Sequence, residues 1–462
     1  MQPDHATGQP IALTRTTPFL VGLPDISDEQ NDSLPVAAAD QTGQSFRHVV
    51  SCPNTPRRRE PGDIFRMVSL MRIIVISVIA MLLQQALATM APLTMAVIGP
   101  VVVDFLDLNP GYIGAFVAMT YGTSMVSSLM AGGAIARYGA VRVSQCALLF
   151  CGLGLAVAAL GSLPLFILAA VLLGLGGGPS TPASSHILAR FSPPHILPLV
   201  FSIKQTGVPV GGILAGALIP FWLGLVGWQG ALLLATALLW VSVLMLQPLR
   251  GMLDDDRDPG RALSLRGSAG TFRSVLRNPA LREIAMAHFL FTGLQLTYGS
   301  FFVAFLVDGN GQDLVFAGLA FACGQGAGIF GRIFWGWVAS GRTAPRLILG
   351  MLGLGMGLVG CVFALMSPDW SSWAIIATSI AFGLTGMSFQ GVLLSEIARR
   401  APEGSVGDVT GVVVVFAYAG MVIFPGAVGA IVGVTGSYAA GFVFSAVATM
   451  PISILLLRKS PR

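Results

Sequence analysis

The chain has 462 residues, of which 54% are hydrophobic and only 10% are charged, and its mean hydropathy is +0.78. Soluble domains carry about 25% charged residues, so this composition excludes a soluble globular protein and predicts an integral membrane protein. The net charge of +5 does not indicate nucleic-acid binding, because the basic residues lie between the apolar stretches.

Residues 1–66 form a polar segment rich in Pro, Asp, Gln, Ser and Thr. Its longest apolar pieces are too short for the core of a signal peptide. The segment therefore predicts a disordered cytoplasmic tail. Met67 and Met71 are alternative start positions for the protein.

From residue 67 onward, apolar stretches follow one another at short intervals. Each is near or above the roughly 20 residues that cross a bilayer, and none shows the alternation of a membrane barrel, so they predict an all-α membrane protein. The polar segment 251–279 separates two predicted six-helix bundles, 67–250 and 280–462. The predicted spans are 72–103, 110–135, 142–162, 164–190, 196–224, 228–249, 280–307, 313–339, 345–366, 371–398, 407–435 and 437–458.

The distribution of basic residues predicts the orientation of these spans. Of the 26 Lys and Arg residues, 24 fall in the two tails, in the loops on the same side as the tails, or at span ends facing that side. The loops on the other side contain none. Because cytoplasmic loops carry the excess of Lys and Arg, both termini and the segment 251–279 are predicted to be cytoplasmic, in the inner (plasma) membrane.

The two predicted halves end their second span with a similar motif. In the first half, Gly132, Arg137, Gly139 and Arg142 lie in GGAIARYGAVR, and the second half carries GWVASGRTAPR after span 8. The chain here resembles the major facilitator superfamily, whose loop between spans 2 and 3 usually reads Gly-x-x-x-Asp-Arg-x-Gly-Arg-Arg. Ala136 stands where that motif has aspartate. The resemblance implies two six-helix bundles around a central cavity.

Two cations stand inside predicted spans, Lys204 in span 5 and Arg332 in span 8. Both lie about 10–12 Å from the cytoplasmic face, at about 1.5 Å per residue. No acidic residue lies deep in a span, so an anionic ligand is the expected partner of these charges. The alternative is that both side chains extend to the interface or bond carbonyls at helix ends. By resemblance, Arg332 stands where anion carriers of the superfamily, such as monocarboxylate carriers, have a substrate arginine.

Further polar residues form stripes on otherwise apolar spans. Small residues share the face of each cation: Gly207 and Gly211 with Lys204, and Gly324, Gly328 and Gly336 with Arg332. Such faces predict the close approach of another helix. In the superfamily, spans 1, 7 and 10 line the cavity, so the expected substrate contacts are completed by Gln85, Gln295, Tyr298 and Gln390. A hydrogen bond to a neighbouring helix is the alternative for each glutamine.

Four residues are candidates for coupling or gating. His288 in span 7 could carry a coupling proton, because the ordinary pKa of histidine is near neutral. A helix–helix hydrogen bond is the alternative for this residue. Asp408, at the start of span 11, is expected to act as a helix cap or gate residue. Arg137 and Arg142, in the loop motif, are expected to act in gating by resemblance.

These features predict a secondary active transporter that moves a small organic anion by alternating access, coupled to a proton or counter-ion. The sequence shows no metal-ligand cluster, phosphate loop or catalytic motif, so we expect neither an enzyme nor a cofactor. A monomer in the lipid bilayer is expected. A drug-efflux carrier is the first alternative, although a carrier of cationic drugs should hold an acidic residue deep in a span. A transporter-like membrane sensor is the second.

Overall fold

A computed structural model describes residues 61–107, 111–260 and 265–458 of the chain. Residues 1–60 of the predicted tail lie outside the described part. The first helix begins at Pro61, so residues 61–66, which were expected to belong to the tail, are helical. Throughout the described ranges the secondary structure is helical, with no strand.

The α-helices follow one another along the chain with short connections. Their bounds are α1 Pro61–Phe105, α2 Gly111–Tyr138, α3 Ala140–Ala158, α4 Leu163–Phe191, α5 Leu197–Gln205, α6 Gly207–Leu246, α7 Arg250–Leu253, α8 Leu265–Arg277, α9 Pro279–Ala304, α10 Leu314–Ser340, α11 Pro345–Phe363, α12 Ser372–Gly386, α13 Phe389–Arg400, α14 Val406–Thr435 and α15 Tyr438–Leu457. A π-helical turn, Phe305–Gly309, extends α9.

In the described ranges, nine helical segments are long and apolar enough to cross a membrane. One of them, Leu197–Leu253, has 57 residues, and its length of about 85 Å is nearly three times the ~30 Å of a bilayer core. Gly227 interrupts it with φ 73° and ψ 175°, so this segment contains two crossings. Helices α2 and α10, of 28 and 27 residues, are also long enough to cross. With them, the segments match the twelve spans expected from the sequence.

Two spans expected to be continuous are broken near the middle of the molecule. Span 5 divides at Thr206 into α5 and α6, and span 10 divides at Met387 and Ser388 into α12 and α13. Pro209 explains the first break, because it has no N–H to donate to the carbonyl of Gln205 four residues earlier. At such breaks, backbone carbonyl groups lose their N–H partner in the helix and can accept hydrogen bonds from other donors.

The two halves of the chain pair their helices in the same way. In the first half α1 packs on α6, α2 on α4, and α3 on α6; in the second, α9 packs on α14, α10 on α12, and α11 on α15. Because α6 contains most of span 5 and most of span 6, the pairs correspond span by span. The halves meet through α2 and α14, and through α5 with α10 and α13.

The polar segment after α6 lies against one end of the helices, which we call the linker side. Asp254 accepts hydrogen bonds from the backbone N–H groups of Val141 and Arg142, at 2.8 and 3.1 Å, at the start of α3. The expected polar linker also contains α8, whose Phe272 stacks on Phe416 of α14 with ring centroids 5.7 Å apart. The segment is therefore docked on both halves through several side chains.

Candidate functional site

Lys204 lies at the junction of α5 and α1 and is fully buried, with 0% of its surface exposed. Its Nζ donates to Gln85 Oε1 at 2.7 Å and to Gln205 Oε1 at 3.0 Å. Gln85 in turn donates to Thr89 Oγ1 at 3.1 Å. A buried ammonium usually faces a carboxylate. Here its recorded partners are the oxygens of two neutral amides.

From Lys204, a chain of amide groups crosses from the first half of the protein to the second. Gln205 Nε2 donates to Gln390 Oε1 at 3.3 Å, and Gln390 Nε2 donates to Gln295 Oε1 at 3.1 Å. Gln295 Nε2 then donates to the sulfur of Met387 at 3.1 Å. We call Gln205, Gln390 and Gln295 the amide chain. It joins α5 to α13 and α9 through side chains.

Arg332 on α10 approaches the same junction from the second half and is 3% exposed. Its Nε donates to the backbone carbonyl of Met387 at 2.7 Å, and its Nη1 donates to the backbone carbonyl of Gln205. Both carbonyls lie at the helix breaks. The guanidinium has five N–H donors, and these two bonds use two of them. The expected alternative, bonds to carbonyls at helix ends, thus occurs for Arg332.

Lys204 and Arg332 therefore meet around one residue, Gln205, through its side chain and its backbone respectively. Neither makes an ion pair with a carboxylate among the described residues. Burying a charge is costly unless a counter-charge or several hydrogen bonds compensate it. The junction consequently holds two positive charges compensated only by neutral groups, which is an arrangement able to bind an anion.

Sequence reasoning identified Gln85, Lys204, Gln295, Arg332 and Gln390 as candidates, and the structure brings all of them to this junction. It also adds three residues: Gln205, Met387 and Thr181, whose Oγ1 lies 3.5 Å from Gln85 Oε1. The position of Gln205 next to Lys204 was an available signal. No sequence signal indicated Met387, because its contribution depends on the helix break between α12 and α13.

Tyr298 and His288 lie elsewhere in the second half. The Tyr298 hydroxyl is 2.7 Å from Ser379 Oγ, and its ring packs among Phe302, Phe321, Phe363 and Phe382. It is a core residue here and does not join the amide chain. His288 is 5% exposed, meets Phe389 edge-on, and its Nδ1 has no hydrogen-bond partner among the described residues.

Small residues let the halves approach closely on the linker side of this junction. A Cβ added at Gly391 of α13 would lie 2.4 Å from the Cα of Ser202 in α5, and one at Gly336 of α10 would lie 2.4 Å from Ser202 Cβ. The backbone N–H of Leu199 also donates to Ser340 Oγ at 3.0 Å. The glycine face predicted around Arg332 is therefore a site of close helix contact, and this side of the junction is closed.

The candidate gating residues lie on the linker side. Asp408, at the start of α14, lies against Gly132. A Cβ added at Gly132 would overlap the Asp408 carboxylate. Arg137 lies over the ring of Tyr138, with its Cζ 5.4 Å from the centroid. The backbone of Arg142 binds Asp254, and Gly139 beside it has φ 93°, a conformation that favours glycine.

The consecutive aspartates after α7 fasten the linker to α4 as well. Asp255 pairs with Arg190, and Asp256 Oδ2 lies 2.7 Å from His186 Nε2. The bond from Arg190 lowers the pKa of Asp255, and the bond from His186 lowers the pKa of Asp256. Burial raises the pKa of Asp254, and its two backbone hydrogen bonds oppose that effect. This chain has Ala136 where the family motif has an aspartate. Asp254, from the linker, instead brings a carboxylate to the start of α3.

Comparison with known proteins gives one family and several relatives. The model of the Major Facilitator Superfamily matches residues 67–425. A hexuronate transporter of Bacillus subtilis is 22% identical over 391 residues, covering 79% of this chain and 89% of the relative. Monocarboxylate transporter 13 of Bos taurus is 27% identical over 249 residues, covering 53% and 56%. The crystal structure of the transporter FucP in the outward conformation has a TM-score of 0.67 at 16% identity and covers 84% of this chain and 100% of that one.

Proposed function

The chain belongs to the Major Facilitator Superfamily, and we propose that it is a secondary active transporter that carries a small organic anion with a carboxylate group. The observation that carries this proposal is the burial of Lys204 and Arg332 around Gln205 with neutral partners only. A guanidinium binds a carboxylate with two parallel hydrogen bonds, and an ammonium adds a point charge. The hexuronate and monocarboxylate transporters, by their names, handle substrates of this class.

The transport cycle we propose is alternating access. The linker side is closed by the contacts at Gly391, Gly336 and Leu199, so the junction would be approached from the opposite side in this conformation. A bound anion would release Arg332 from the carbonyls of Gln205 and Met387 and allow the halves to separate on the linker side. A proton is the proposed coupling ion, and His288, with its buried Nδ1, is its proposed carrier.

We also propose that the protein lies in the inner membrane as a monomer, with both termini and the linker 251–279 in the cytoplasm. The support is the excess of basic residues at the ends of spans that face the linker side. Reporter fusions after residues 260 and 462 should both report a cytoplasmic location. A periplasmic signal at residue 260 would contradict this orientation and the division into two groups of six spans.

The substrate class can be tested on the purified protein with matched ligands. Small carboxylic acids should raise the melting temperature and be taken up by proteoliposomes, whereas their methyl esters, which lack the charge, should do neither. Stabilisation by lipophilic cations, with no response to any acid, would favour the drug carrier instead. Ligand binding without uptake, together with a cellular response that is lost when residues 1–66 are deleted, would favour the sensor.

A further inference from the structure

We infer that the transported anion carries hydroxyl groups beside its carboxylate, and that these hydroxyls bind the amide chain. This inference rests on the proposed function, because it assumes that Lys204 and Arg332 receive the carboxylate. It assigns a hydroxy acid or sugar acid as the substrate class, and it gives Gln205, Gln390 and Gln295 the role of selecting such acids over plain carboxylates.

The direction of the hydrogen bonds in the amide chain supports this assignment. Gln205 donates to Gln390, and Gln390 donates to Gln295, so each link joins one N–H to one carbonyl oxygen. A hydroxyl group both donates and accepts, so it can enter such a link and satisfy both sides. A carboxylate only accepts, and in the same place it would leave a buried amide oxygen without a donor.

The amide chain has two weak positions. The link between Gln205 and Gln390, at 3.3 Å, is longer than the other amide–amide link, at 3.1 Å, and it joins the two halves of the protein. The chain ends on the sulfur of Met387, and a thioether is a weak acceptor. Replacing these bonds with bonds to ligand hydroxyls therefore costs little hydrogen-bond energy.

A further buried hydroxyl lies on α9, about one helical turn before Gln295. Thr292 shares a face of α9 with Gln295, three residues away, and is 1% exposed. Its Oγ1 has no hydrogen-bond partner among the described residues. Buried hydroxyls are normally bonded, so this atom is a further donor and acceptor for a ligand hydroxyl.

The test compares acids that differ only in hydroxyl groups, at neutral pH where all are ionised. The pairs are lactate with propionate, and gluconate with hexanoate. The hydroxylated member of at least one pair should bind about ten- to a hundredfold more tightly, because its hydroxyls form buried hydrogen bonds that the plain acid cannot form. Dissociation constants are measured by calorimetry on the purified wild-type protein.

Variants then assign the preference to the amide chain. Gln390→Met and Gln295→Met keep the side-chain length and remove an amide that does not contact Lys204, so the ratio between paired acids should fall towards one. A single cooperative melting transition without ligand shows that each variant is folded. Arg332→Lys should weaken both acids and leave their ratio unchanged.

Two outcomes would overturn the inference, and they differ. Equal binding of the paired acids by the wild-type protein, or a preference that survives both methionine variants, would refute the role of the amide chain and leave the anion carrier standing. Binding of none of the four acids would overturn the proposed function, and this inference with it.

Discussion

Arg332 donates a hydrogen bond to the backbone carbonyl of Gln205, across 127 residues of sequence and from one half of the protein to the other. The carbonyl is available because Pro209, four residues later, has no N–H to offer it. The proline at position 209 thus leaves a backbone carbonyl that accepts a hydrogen bond from the guanidinium of α10.

The charge pair can be tested by substitution. Arg332→Lys and Lys204→Gln should each weaken uptake of a transported acid, because each removes a charge-assisted hydrogen bond worth about 1.5–3 kcal/mol. That corresponds to roughly a ten- to hundredfold loss of affinity. Arg332→Lys keeps the charge and loses the planar guanidinium, so its effect measures the contribution of two-hydrogen-bond geometry to binding. Initial uptake rates over a concentration series measure the affinity of both variants.

The double variant shows whether the two cations share one anion. If they do, its loss should be smaller than the sum of the single losses. Additive losses would indicate separate roles. Unchanged affinity in both single variants, at normal protein levels, would refute the anion site.

Pro209→Ala should weaken the hold of Arg332 on the first half. The alanine N–H can bond to the carbonyl of Gln205 within the helix, and it would compete with the guanidinium for that oxygen. We expect a larger fraction of molecules open on the linker side, measured as faster maleimide labelling of Leu199→Cys in a background without native cysteines. Pro220→Ala, later in α6, is the matched control and should leave labelling unchanged. Equal labelling of both variants would disprove the competition.

Gly391→Ala should disrupt the closed linker side directly. Its Cβ would lie 2.4 Å from the Cα of Ser202, a distance that requires α13 and α5 to move apart. The expected result is faster labelling of Leu199→Cys and a lower uptake rate. Gly326→Ala is the control, because a Cβ there has nothing within 4 Å. Normal uptake and labelling in Gly391→Ala would mean that this contact does not close the linker side.

Acid should release the linker from α4. The pKa of Asp256 is held below its ordinary value of about 3.9, mainly by the hydrogen bond with His186. A lowered pKa means that the carboxylate contributes stability above its ordinary pKa and loses it as the pH falls through the lower value. Hydrogen exchange of residues 255–260, measured directly in acid, should therefore increase as the pH falls below about 4.

Asp256→Asn provides the comparison for this pH dependence. It should expose the linker at neutral pH and remove the acid-dependent step. Glu403→Gln, at an exposed position, should behave as the wild type. An identical acid-dependent step in Asp256→Asn would assign the effect to another group.

The membrane crossings, the family and the glycine face around Arg332 follow from local properties of the sequence. Apolar length determines that a segment crosses a bilayer, and the sequence therefore predicted the twelve crossings and the position of Lys204 and Arg332 within them. The family followed from the loop motif around Gly132 and Arg137 together with the repeat, and the comparison confirmed it. The face of glycines around Arg332 was also readable, because helical periodicity is local.

Only the tertiary structure decided which polar residues meet. The bonds of Lys204 to Gln85 and of Gln205 to Gln390 join residues 119 and 185 positions apart, and no local pattern specifies such pairs. Tyr298 and Gln295 share one helix, yet the first packs among aromatic rings and the second joins the amide chain, because one helical turn changes the neighbour that each side chain faces. In a bilayer all these helices are apolar outside, so the junction between them is set by packing of the two halves rather than by hydropathy.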